Sequence, residues 1–139
     1  MRPPRPAGHL TIPFLGPERS ALQYPWRSLL DSGAPFALGS DWDVSTPDPF
    51  EILHVAVHRN HPDSASEPFF PEERIGLDEA MTAYTLGSAY VSHLEGDTGS
   101  ITPGKLADIV VVDRDPVENG PLRYRVDLTL VGGDIVFER

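Results

Sequence analysis

Pro35-Phe36-Ala37-Leu38-Gly39-Ser40-Asp41-Trp42-Asp43-Val44 is the stretch whose reading decides the fold. Its first four residues form a short apolar run between Gly33 and Gly39 without a helical stripe, which predicts a buried strand. An acidic residue then stands where that strand ends. In parallel α/β sheets and barrels, chemistry collects at the carboxyl ends of strands, where loop side chains converge on a rigid support. Asp41 is therefore the candidate catalytic residue. Asp is also a common turn and N-cap residue, and the local pattern alone favours that plainer reading.

Outward from this stretch, Pro17 to Gln23 predicts a short helix. Pro25 suits the first turn of a second, which carries Leu29 and Leu30 and stops at Gly33. On the other side, Asp48-Pro49-Phe50-Glu51 has an N-cap Asp, a Pro at the first helical position and a Glu at the third, so a helix should run to about Arg59. Phe50, Leu53 and Val57 make its apolar stripe, flanked by Ile52 and Ala56, while Glu51, His54, His58 and His61 recur along another face. Histidines four apart on a helix can chelate a metal. The pair His54-Val-Ala-Val-His58 lacks the Glu that a helical zinc-protease motif uses as general base, so the row is expected to be a solvated helix face. His9 is given no role.

Asn60 to Pro71, rich in proline and serine, predicts a loop that could border a site. A further helix should begin at Leu77-Asp78-Glu79, with acids in its first turn and Leu77, Ala80, Met81 and Tyr84 on its apolar stripe. Gly87-Ser88 marks a close helix contact or a short break, Gly96 ends the second piece, and Tyr84 and Tyr90 are expected in the core. From about Gly96 the period changes from helical to alternating. Thr98 to Thr102 and Ala107 to Asp113 read as strands around Pro103-Gly104, and Arg125 to Val131 with Asp134 to Phe137 as a hairpin around Gly132-Gly133.

Several of these pieces, in order, resemble one family. Gly39-Ser40-Asp41-Trp42, Asp48-Pro49, Ala56-Val57-His58-Arg59, Glu79-Ala80, Ala83-Tyr84-Thr85, Gly99-Ser100-Ile101 and Gly104-Lys105-Leu106-Ala107-Asp108 are similar to the carboxyl-terminal part of amidohydrolase family 3 enzymes. The likeness runs from roughly Leu15 to Phe137. It implies an α/β fold that is a fragment: the last strand and helices of a TIM-barrel-type domain in residues 1–95, and strands of a small β-sandwich in residues 96–139. It also implies a metal-dependent hydrolase of amide-type C–N bonds, with a divalent ion, zinc or a similar metal, as cofactor. In the family pattern the Asp ending the eighth strand, matched by Asp41, binds the metal and moves protons for the attacking water. Trp42, on the same loop, could wall the substrate pocket. The family's His-x-His on the first strand has no counterpart in this sequence, so the chain is expected to be inactive alone. Lys105 and Asp108 belong to the motif but read as turn and strand-edge structure.

Length and charge bound the alternatives. At 139 residues the chain is too short for a whole barrel, which takes about 200 or more. With 21 acidic and 11 basic residues and a net charge of −10, it is a poor partner for nucleic acid or an anionic membrane. It has no cysteine, which excludes disulfides, thiolate metal sites and Cys nucleophiles. No apolar run approaches a membrane span and no signal peptide is evident, so a cytoplasmic location is expected. The expected partner is a small-molecule substrate of the full-length enzyme, with a homo-oligomer left open. Two other readings stand beside the hydrolase. Asp41-Trp42-Asp43 is an Asp-x-Asp of the kind that holds a divalent ion in glycosyltransferases, and the chain could be a non-catalytic remnant or interaction module.

Overall fold

The computed structural model describes residues 8–63, 65–115 and 124–139, with side chains from Ile12 onward. The Pro-rich lead-in through residue 7 and the side chain of His9 lie outside the described residues. The element order is α1 (Gly8–Ser20), α2 (Trp26–Asp31), α3 (Pro49–His58), a 3₁₀ turn (Pro71–Glu73), α4 (Leu77–Thr82), a π turn (Ala83–Gly87), α5 (Ser88–Val91), and three strands, β1 (Ile109–Val112), β2 (Val126–Val131) and β3 (Asp134–Glu138). This is a mixed helical structure with a small antiparallel sheet.

Helix α1 is two pieces joined at Gly16, whose φ of 74° no helix interior contains; Pro17 opens the second piece. Helix α3 forms as its sequence dictates. The Asp48 carboxylate accepts the Phe50 N–H at 2.9 Å, Pro49 fills the first position, and Arg59 closes the helix in the left-handed conformation, φ 62°. The apolar stripe faces inward: Leu53 and Ala56 join Leu38, Ile75, Ala80 and Ala83 in the buried core, with Trp26, Leu30, Phe36, Phe50, Val57, Met81 and Tyr84 packed against it. Tyr90, expected in the core, is half exposed instead.

Two predicted strands are absent. Pro35 to Leu38 is extended and Leu38 is buried, but the segment belongs to no ladder among the described residues. The Leu38 N–H bonds the Ala83 carbonyl of the helix beside it, because no strand within the described residues lies alongside to take up its backbone groups. Thr98 to Thr102 is irregular, a bend over its first three residues. Gly99 sits at φ 82° against α5, where a Cβ would come within 2.7 Å of the Ala89 Cβ, and that left-handed residue breaks the extended run.

The hairpin forms around Gly132 and Gly133, φ 59° and 92°. Strand β2 is central, pairing antiparallel with β1 (Val110 opposite Thr129) and with β3 (Thr129 opposite Phe137). The motif residues at the sheet's entrance are structural. Lys105 Nζ donates to the Glu95 and Thr98 carbonyls at 2.6 and 3.0 Å, and the Asp108 carboxylate accepts the Gly132 N–H at 2.7 Å. Phe50 of α3 meets Tyr124 at 4.9 Å, linking the sheet side to the helices.

Candidate functional site

Asp41 stands three residues beyond Leu38 on a turn in which the Val44 N–H bonds the Asp41 carbonyl at 2.7 Å. Ser40 Oγ accepts the Trp42 N–H at 3.2 Å. Asp41 has φ 52°, a left-handed conformation that Asp tolerates better than most side chains. Such backbone settings concentrate where surrounding structure imposes them, often at functional sites. Asp41 is exposed, and its carboxylate has no hydrogen-bond partner among the described residues. A carboxylate presented this way is open to a cation or to a water it could deprotonate. Trp42 is exposed on the same turn, at 66%, together with Asp43. An exposed indole of this size is free to pack against another surface or a ligand.

The histidine row departs from expectation. His54 is buried at 6% exposure, not on a solvated face. The helix is short, and the chain after Arg59 folds back over it: the Phe69 N–H and the Arg59 Nε–H cross between the two segments at 2.7 and 2.9 Å. His54 Nε2 lies 3.2 Å from Asn60 Oδ1, its Nδ1 is buried without a partner among the described residues, and its ring centroid lies 4.5 Å from that of His58, the planes tilted by 38°. Burial, and then the neighbouring His58, hold the His54 imidazole below its ordinary pKa. His58 itself is exposed, and His61 Nε2 pairs with Glu51 Oε1 at 3.1 Å. The four residues thus form two pairs. Among the described residues no group of three or more His, Asp or Glu side chains is arranged to hold a metal.

A second polar cluster lay beyond sequence reasoning. The Glu73 carboxylate accepts the Ser28 N–H and Oγ–H at 2.9 and 2.5 Å, which holds it below the usual carboxylate range. Glu79 receives both terminal nitrogens of Arg27 at 2.9 and 2.7 Å, and the Gly76 N–H at 2.7 Å, with the same effect. The Arg59 guanidinium lies 4.4 Å over the Trp26 ring. These contacts pin α2 to the 3₁₀ turn and α4. The partners are about 45 and 52 residues apart in sequence, and no local pattern announces them.

Residues 1–137 match the amidohydrolase family, and the chain belongs to it. An N-substituted formamide deformylase from Arthrobacter pascens is 40% identical over 119 residues, which are 84% of this chain and 22% of that protein. The putative amidohydrolase YtcJ of Bacillus subtilis is 31% identical over 132 residues, 92% of this chain and 25% of its own length. Among solved structures, an uncharacterized metal-dependent hydrolase from Pyrococcus furiosus superposes with a TM-score of 0.61 at 32% identity, over 73% of this chain and 20% of that one. The chain therefore spans about a fifth to a quarter of the proteins it matches.

Proposed function

We propose that this chain is the carboxyl-terminal segment of a metal-dependent amidohydrolase that cleaves an amide-type C–N bond in a small molecule, with Asp41 as catalytic residue and metal ligand. Family membership supports the hydrolase class, and the deformylase likeness makes N-substituted formamides the first substrates to try. The observation that carries the reading is the Asp41 carboxylate, exposed and unpaired among the described residues on a backbone turn held by its own hydrogen bonds. We assign residues 1–95 to the end of a TIM-barrel-type domain, residues 96–139 to strands of a small β-sandwich, and the protein to the cytoplasm.

The donor set fits a divalent ion such as zinc in one respect: Asp41 offers an anionic oxygen, a ligand type such ions accept. One carboxylate does not make a closed site, which takes about three protein ligands, so the remaining ligands come from chain beyond the described residues. When bound, the metal supplies Lewis-acid polarisation of the carbonyl and makes water a nucleophile near neutral pH. The Asp41 carboxylate receives the proton of the attacking water and returns it to the departing nitrogen, a general base and then a general acid at one atom pair. Trp42 forms a wall against the substrate's apolar part. The glycosyltransferase-like Asp-x-Asp reading has no supporting observation in a chain of this family.

The scarcity of ligands favours one further statement, that the 139-residue chain by itself is a non-catalytic segment. Purified alone, it should turn over neither N-acyl amino acids nor formamides, and calorimetric zinc titration should find no tight one-to-one binding. Turnover by the pure chain would overturn the segment reading.

A further inference from the structure

The segment leading to Asp41 has no strand partner among the described residues, and a helix beside it holds its backbone instead. Three contacts from one helical turn do so. The π turn Ala83–Gly87 opens the regular helical ladder, and its Ala83 carbonyl accepts the Leu38 N–H at 3.1 Å. Ser88 Oγ lies 2.8 Å from the Leu38 carbonyl and 3.2 Å from that of Ala83; its single proton goes to the nearer, so both backbone groups of Leu38 are satisfied by the helix. Gly87 lets the segment come this close: a Cβ there would stand 2.3 Å from the Phe36 carbonyl oxygen and 3.3 Å from the Ala37 Cα.

We propose that Gly87 and Ser88 are positioning residues for Asp41, holding the backbone of Phe36 to Leu38 so that the carboxylate three residues on is presented in one place. The proposal rests on the reading of Asp41 given above. Beyond Leu38, Gly39 is exposed and a Cβ there would meet nothing within 4 Å, so the last fixed point before the catalytic turn is the one the helix supplies. Ser is a poorer helix former than Ala. A Ser at position 88 that served only the helix would be improved by Ser88→Ala, whereas a Ser that clamps Leu38 would not.

Amide hydrogen exchange of the 139-residue chain tests the clamp directly. Ser88→Ala frees the Leu38 carbonyl, so the segment should open more often. Exchange of the Leu38 N–H, whose own partner is Ala83, should then speed roughly tenfold, the scale of one hydrogen bond's hold on the closed segment, without changing Leu128 and Leu130 in β2, and Ser88→Thr should restore it. Unchanged Leu38 exchange overturns the clamp. The catalytic consequence is read in the Arthrobacter pascens deformylase with its matching segment replaced by this chain, using a chimera that turns over N-substituted formamide. There Ser88→Ala should lower kcat about 10- to 100-fold with KM and metal content kept, and Ser88→Thr should recover most of it. If Asp41→Asn abolishes turnover while Ser88→Ala leaves kcat whole, the positioning role is wrong and the Asp41 reading stands. If Asp41→Asn is fully active, both fall.

Discussion

Asp41 and His54 are opposite cases of an ionisable side chain, one open to solvent and one shut away from it. In an intact enzyme containing this segment, Asp41→Asn should lower kcat by about 10²–10⁴-fold, the usual worth of a general base. Its melting temperature should barely move, because the carboxylate supports no contact among the described residues. For the histidines the structure changes the expectation. His58→Ala should shift stability by less than about 0.5 kcal/mol, since the residue is exposed. His54→Ala, which empties a buried position, should cost about 1–3 kcal/mol. His54 also sets a pH dependence. Its folded-state proton affinity is depressed, chiefly by burial, so as pH falls below about 6.5 the unfolded chain binds more protons and stability is lost down through the folded value. Above that range the effect vanishes. Urea midpoints taken at about pH 7.5 and about pH 5.5 should separate in the natural chain and draw together in His54→Phe, which keeps a ring against His58 but cannot titrate. An equal separation in both would place the titration elsewhere.

At the scale of elements, what the sequence made legible was whatever is decided within a few residues. The cap, proline and stripe of α3 are a local code, and the structure reads them as written. Asp48→Ala should therefore weaken α3 by about 1 kcal/mol, seen as a lower unfolding midpoint. The hairpin at Gly132-Gly133 was equally local. What could not be read is set by distant partners: Pro35 to Leu38 looks like a strand in composition but has no strand beside it among the described residues, its Leu38 N–H going to Ala83 instead, and the burial of His54 is announced by no local pattern. The same holds for Ser28 with Glu73 and Arg27 with Glu79. Both carboxylates have folded pKa values depressed from the ordinary 4.5, Glu73 by Ser28 first and Glu79 by Arg27 first. Their stabilisation is complete above that value and is lost as pH falls through the folded values. Acid should thus loosen the attachment of α2. Trp26 fluorescence followed through an acid titration should report that loosening, and Glu73→Gln should remove part of the change.

For the whole molecule, the legible part was the family, because several short motifs kept their order, and the unreadable part was what the edges of the sheet pair with. Strands β1 and β3 each pair only with β2, leaving two open edges among the described residues. Val110 and Val111, neighbours that point to opposite faces, are both about half exposed, as are Ile135, Val136 and Phe137 along β3. Apolar surface on both faces together with unpaired edges favours association, while a net charge of −10 on each copy opposes it. Salt distinguishes the two effects. Repulsion between copies is screened over about 30 Å at 0.01 M and about 3 Å at 1 M ionic strength, whereas apolar burial is not weakened by screening. The purified chain should therefore associate more as sodium chloride is raised across that range, measured by size exclusion with light scattering. Val136→Lys, which puts a charge on the edge strand, should shift it back toward monomer. A compact monomer at every salt concentration would mean that the chain closes its own edges, and the inference from family architecture to a segment of a larger enzyme would have to be withdrawn.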